Sequence, residues 1–228
     1  RLIIEKKFYH HLCDLFLEMI KTMSISKEEI CKRYVFKNFE LYSELEKQDK
    51  SIAIMCAHYA SYEWVVSMNY YTKFKGYGIY KKIKNPYFDK LVHSIRSKYN
   101  ATLITTKETI PTIANNYRKK IFSTYGFASD QSTKDNASNH YSSFMGIEVP
   151  VYTGAEMLSK KYDMNVIFLK TKKVKRGYYE ATMEIITENA KEIPNYEITD
   201  QFLKRVEQQI YEAPEYYLWT HKRWKHRK

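Results

Sequence analysis

His58 closes a short apolar run, Ile52-Ala53-Ile54-Met55-Cys56-Ala57, and Glu63 follows it within one further turn of chain. An imidazole beside a carboxylate has the makings of a general base: the carboxylate fixes one tautomer and stabilises the imidazolium. On a continuous helix, positions five apart point about 140° away from each other. The pair therefore meets only if His58 lies in the turn before a helix and Glu63 in its first turns. Apolar runs of this length with polar flanks read as buried strands, and open α/β sheets place reactive groups beyond the carboxyl ends of their strands. A histidine that simply ends a strand beside a solvated glutamate has the same letters, and spacing alone does not separate the two.

Three other segments carry chemical side chains. Gly78-Ile79-Tyr80-Lys81-Lys82-Ile83-Lys84-Asn85-Pro86-Tyr87-Phe88-Asp89 sets lysines beside a predicted strand end, where they act as point charges for phosphate or form a solvated basic turn. Phe127-Ala128-Ser129-Asp130-Gln131 puts an acid at another strand's carboxyl end, as a capping residue or a site group. Ala213 through Trp224 is rich in aromatic and basic residues. Cys13, Cys31 and Cys56 are widely spaced, with no zinc pattern and no disulfide framework, which points to a reducing compartment. Cys56, two residues before His58 but on an apolar strand, reads as a core residue rather than a nucleophile.

The elements that would position these residues alternate. Apolar residues recur at helical spacing from Leu2 to Met23 (Phe8, Leu12, Leu15, Phe16, Met19, Ile20, Met23), and Ser24 or Ser26 caps a second helix ending before Phe39. Strands are predicted at 51–57, 76–80, 101–105, 121–128, 165–169 and 178–187. Helices are predicted at 61–74, from Asn85-Pro86 through Ile95, at 110–118, 154–162 and 199–211, with a polar mobile loop at 132–143. Such alternation predicts an α/β fold: a single domain with a mostly parallel or mixed central sheet flanked by helices. An N-terminal helical segment, 1–45, packs on a core of 46–228.

The 228 residues carry 38 Lys+Arg against 26 Asp+Glu, a net charge of +12 that favours anionic partners: nucleic acid, anionic lipid or an acidic carrier protein. Trp219 and Trp224 beside Lys and Arg in the tail suit a seat at a membrane interface. No stretch reaches the roughly eighteen apolar residues of a membrane span. The chain begins at Arg1 rather than Met, so the expectation is that residues precede it and that the protein is either peripheral or anchored by such an upstream segment.

In this order and spacing, the four blocks resemble the late acyltransferases of lipid A biosynthesis, within the lysophospholipid-acyltransferase-like group and its H-x4-D/E motif. The resemblance runs from about Phe8 to Lys228. The family's GH(F/Y)GNWEW appears as Ala57-His58-Tyr59-Ala60-Ser61-Tyr62-Glu63-Trp64: His and Glu are kept, both glycines and the Asn are not. Its GVYR…NP…D appears as Gly78-Ile79-Tyr80-Lys81, Asn85-Pro86 and Asp89, with Lys81 in place of Arg. Its APDQ, F-x-G-x-x-x-P and APEQYxWxHRRF appear as Ala128–Gln131, Phe144–Pro150 and Ala213–Trp224.

The resemblance implies a glycerolipid-acyltransferase-like fold and O-acyl transfer from a thioester to a hydroxyl of a lipid A precursor. His58 is the implied general base and Glu63 its orienter. Lys81, Arg96, Asp130 and Gln131 are the implied substrate-binding residues, Asp130 positioning either the acceptor or a basic side chain. No metal and no resident cofactor are implied; the donor is acyl-[acyl carrier protein] or acyl-CoA. The implied partners are acyl carrier protein, an anionic glycolipid and the membrane surface, not nucleic acid, at the cytoplasmic face of the bacterial inner membrane. A related enzyme with another glycolipid, aminolipid or phospholipid acceptor would share this chemistry.

Overall fold

The apolar run before His58 is the central strand of a seven-stranded sheet in this computed structural model, which describes residues 1–133 and 140–227. In chain order the elements are α1 (Leu2–Thr22), α2 (Lys27–Arg33), β1 (Tyr34–Phe36), α3 (Phe39–Leu45), β2 (Ile52–Cys56) and a 3-10 helix over Tyr62–Tyr70. Next come β3 (Lys75–Tyr80), α4 (Pro86–Ser97), β4 (Thr102–Thr105), α5 (Thr109–Arg118), β5 (Ser123–Ala128) and the hairpin β6 (Tyr141–Phe144) and β7 (Ile147–Pro150). The chain closes through α6 (Gly154–Lys161), β8 (Asn165–Lys175), β9 (Tyr178–Thr187) and α7 (Glu197–Glu212).

The strand order is β1-β9-β8-β2-β5-β3-β4, every neighbouring pair parallel except the β8–β9 hairpin. The predicted α/β class is therefore found. β2 is covered on both faces, which is why its residues are continuously apolar rather than alternating. On one face lie α1, α3 and the 62–70 helix: Lys173 of β8 reaches Asp14, Tyr42 Oη lies 2.5 Å from Thr124 Oγ1, and the Trp64 ring meets Tyr179 edge-on. On the other, α5 donates from Asn116 to Tyr125 Oη, and Phe202 of α7 packs on Phe168.

Several sequence expectations need correction. The second helix ends at Arg33, because Tyr34-Val35-Phe36, aromatic and β-branched, pairs as an edge strand with β9 inside the predicted N-terminal helical segment. The predicted strand at 165–169 continues to Lys175; β9 lies alongside it, and Lys172 stands opposite Glu180. Within the predicted loop 132–143, residues 134–139 lie outside the described residues, while 141–144 pair with 147–150. Met145 and Gly146, both at positive φ, make the tight turn between them, which is the physical use of the glycine in F-x-G. The predicted helix 61–74 is the shorter 3-10 helix, nine residues long where such helices seldom exceed about four.

α1 is inverted relative to an ordinary surface helix. Its buried side carries His11, Asp14, Glu18 and Thr22 together with Phe8, while Tyr9, Phe16, Ile20 and Met23 are exposed. The apolar periodicity read in the sequence is real but faces outward. Among the described residues, no helix is long and apolar enough to cross a membrane.

Candidate active site

β2 and β5 are neighbours with Cys56 level with Ala128, so the residues two beyond each strand end, His58 and Asp130, leave the sheet side by side. Their side chains meet: His58 Nδ1 lies 2.7 Å from Asp130 Oδ1. Asp130 is 1% exposed and His58 19%. Burial alone would lower the imidazole pKa, but the charge and hydrogen bond of Asp130 outweigh it and hold His58 above its ordinary value. Burial pushes Asp130 up; the facing His58 and nearby backbone amides outweigh that and keep it below the usual carboxylate range. With Nδ1 engaged by a carboxylate, Nε2 is the nitrogen left to exchange a proton with a substrate.

Glu63 takes a different partner from the expected one. Its carboxylate is gripped bidentately by Arg96 of α4, Nε to Oε2 at 2.6 Å and Nη2 to Oε1 at 2.5 Å. Burial lowers the Arg96 pKa, and Glu63 more than restores it. Glu63 is thus the anchor between the 62–70 helix and α4, and its charge reaches His58 only through space. Two assignments of contact change accordingly. Asp130, not Glu63, makes the hydrogen bond to His58, and Arg96 directs Nε and Nη2 at Glu63, leaving Nη1 outside the pair. The 62–70 helix does start after His58, as the spacing required.

The other candidates separate. Lys81 is exposed just past the end of β3, and Gln131 is half-buried beside Asp130. Asn85 caps α4 by accepting from the amides of Tyr87 and Phe88, with Pro86 at its first position, and Asp89 Oδ1 accepts from the Ile83 amide at 2.8 Å. The N-P and D letters of that block are therefore structural and hold the loop carrying the lysines.

The turn bearing His58 is clamped from two sides. The Ala213–Trp224 segment supplies one: Ala60 N–H donates to Tyr216 O at 2.9 Å, Leu218 N–H to His58 O at 3.1 Å, and Tyr59 Oη to Ala213 O at 2.8 Å. The same segment reaches the Asp130 side, where Ser132 N–H donates to His221 Nε2 at 3.0 Å. α1 supplies the other: Ser61 Oγ donates to Glu18 Oε2 and Tyr179 Oη to Glu18 Oε1, both at 2.7 Å, and Trp64 Nε1 to Thr22 Oγ1 at 2.8 Å. Burial raises the Glu18 pKa, opposed by these two hydroxyl donors. Ala60 stands at φ 50°, left-handed backbone that favours the glycine of the usual motif. Tyr62 lays its ring edge-on to His58, centroids 5.0 Å apart.

The tail tryptophans are not free. Trp219 and Trp224 stack on each other, Trp224 also stacks on Phe144, and their indole N–H groups donate to Pro214 O and Phe144 O. Both rings stay half-buried, and α1 exposes a further set of apolar side chains. No group of three or more His, Cys, Asp or Glu placed to hold a metal occurs among the described residues.

A strand-end histidine bonded to a buried aspartate, clamped by a C-terminal A-P-E-Y segment, fits the family read from the sequence. The family model described as bacterial lipid A biosynthesis acyltransferase matches residues 1–226. The chain belongs to that family. Comparison with curated proteins found no match. Membership in the lipid A biosynthesis acyltransferases makes acyl transfer the activity to be explained, and all four blocks of these acyltransferases fall at the sheet edge or on segments holding it.

Sequence reasoning missed the pairing of Asp130 with His58, although a signal existed. Two predicted strands ended one and two residues before a titratable group, and adjacency of those strands would have made those groups partners. Glu18 and Thr22 gave a weaker signal, as polar residues interrupting an apolar helical pattern.

Proposed function

We propose that this chain transfers a fatty acyl group from an acyl-[acyl carrier protein] thioester to a hydroxyl of a lipid A precursor, with His58 as general base. The observation that carries the reading is the 2.7 Å contact of His58 Nδ1 with buried Asp130, which leaves Nε2 for the acceptor hydroxyl. Nε2 takes the hydroxyl proton as the oxygen attacks the thioester carbon. The C–S bond then breaks, and the imidazolium returns the proton to the leaving thiolate. Asp130 keeps the tautomer and offsets the charge that His58 gains, as the acid of a Ser-His-Asp triad does. A base so placed contributes roughly 10²–10⁴-fold.

Burial raises the Cys56 thiol to about 12, so it is a poor nucleophile at neutral pH and transfer is direct, without an acyl-enzyme. Backbone amides opening the 62–70 helix are the donors we assign to the developing oxyanion. Exposed Lys81, with Gln131 and the Nη1 edge of Arg96, is assigned to the acceptor's phosphate or the donor's phosphopantetheine. The +12 charge suits an acidic carrier protein and an anionic membrane surface, and the outward apolar face of α1 suits a seat on that surface at the cytoplasmic side of the inner membrane. Lys81 offers a point charge where the family has a forked guanidinium, so a different glycolipid, aminolipid or phospholipid acceptor is the alternative. The test is an assay of acyl carrier protein thioesters with candidate lipids, read by product mass. The wild type transfers acyl groups and His58→Ala does not; equal activity in both refutes the mechanism.

A further inference from the structure

Three adjacent strands carry a trough on the face beneath the 62–70 helix. Ile54, Gly126 and Gly78 form one cross-strand row, and Thr124 and Gly76 the row below. Two glycines in the upper row remove the side chains that would fill it. Val65, Val66 and Met68 of the 62–70 helix roof the trough, leaving a cavity of about 60 Å³ that runs from Cys56, two residues before His58, down the sheet. A single water needs roughly 10–15 Å³ by this measure, so there is room for a short run of methylene-sized groups.

The slot suits hydrocarbon rather than water. Thr124 Oγ1 is engaged by Tyr42 Oη, Asn69 Nδ2 donates to Val66 O at 2.7 Å, and Thr72 Oγ1 donates to Phe74 O at 3.2 Å. The Cys56 thiol is held neutral by burial. Ile54, Val65, Val66, Met68 and Ala101 supply much of the rest of the lining, so few of the two to four polar partners a water needs are on offer.

The glycines differ in what they do. At Gly76 a Cβ would collide with the Asn69 side-chain amide, which closes the lower end and would have to move aside for any larger residue. At Gly126 a Cβ would meet only Tyr77 O, at 3.7 Å, an ordinary contact, and its φ is not in the left-handed region. Neither packing nor backbone demands glycine at 126. A mid-strand glycine weakens a strand and marks a place where something else approaches the backbone closely.

We propose that this slot receives the distal end of the transferred acyl chain and that Gly126 sets how much chain it admits; the proposal rests on the acyl-transfer reading above. The experiment gives the purified chain an equimolar mixture of saturated acyl-[acyl carrier protein] thioesters of increasing length, with a lipid A precursor bearing 3-hydroxyacyl chains as acceptor. Products are resolved by mass for the wild type, Gly126→Ala, Gly126→Val and the slot-widening Val66→Ala, each checked by thermal melting. The ratio of longest to shortest products is expected to fall on the order of tenfold or more in the Gly126 series, Val beyond Ala, and to rise in Val66→Ala. A length profile identical to wild type in folded variants, or a loss uniform across all lengths, overturns this proposal while the acyl-transfer reading stands. Failure of the wild type to transfer from any thioester overturns that reading itself.

Discussion

Two charged pairs stand close together at the carboxyl edge of this sheet, and they are built for different work. Asp130 and His58 hang from the ends of adjacent parallel strands and meet through one hydrogen bond, which leaves the outer imidazole nitrogen available. Glu63 and Arg96 sit on two helices and lock through a two-point fork that engages both carboxylate oxygens. In the mechanism proposed here the first pair tunes a proton acceptor; the second joins the 62–70 helix to α4. The comparison teaches that the acid nearest His58 in sequence is held by an arginine, while the acid that touches it arrives from beyond a strand seventy-two residues away.

The comparison can be broken from either side. His58→Gln is expected to lower kcat by roughly 10²–10⁴-fold with little change in melting temperature, measured by acyl transfer and calorimetry. Asp130→Asn is expected to fall within the same range and also to move the pH–rate midpoint. The sign follows from the raised His58 pKa: the base is active when neutral, so the rate climbs as pH rises through a value above 6.5. Removing the Asp130 charge moves that climb to lower pH while lowering the plateau. Stability runs the opposite way for His58. Its raised pKa contributes stability at pH below the unfolded value, lost as pH rises through the folded one. The lowered Asp130 pKa contributes above its unfolded value and is lost on acidification.

Glu63→Gln is expected to show mainly in folding, at about 1.5–3 kcal/mol in chemical denaturation, because a charged hydrogen-bonded fork is lost. A variant of full stability and abolished turnover would reverse the roles given to the two pairs. The smallest effect is at Ala60. Its left-handed backbone is strained for any residue with a Cβ, so Ala60→Gly is expected to stabilise by about 0.5–1 kcal/mol with turnover retained. Destabilisation there would mean that the turn is held differently.

Much of this was legible in the letters. The β2 run, the Asn85-Pro86 helix start and the β9 alternation follow from burial and capping, which are local. β1 was not, because three residues show no period and only pairing with β9 makes them a strand. Neither was the direction of α1, since periodicity reports a stripe and not which side of it meets the protein. In the site, His58 and Glu63 were found by spacing, but their partners, Asp130 and Arg96, depend on strand adjacency and helix docking, and no spacing encodes those. Chemical type was readable; who holds whom was not.

The central claim is that Asp130 rather than Glu63 governs His58. It is tested most directly by following the His58 imidazole through an NMR pH titration in the wild type, Asp130→Asn and Glu63→Gln. The structure predicts a wild-type midpoint above 6.5, a large downward shift in Asp130→Asn and a much smaller one in Glu63→Gln. A larger shift in Glu63→Gln than in Asp130→Asn would contradict it.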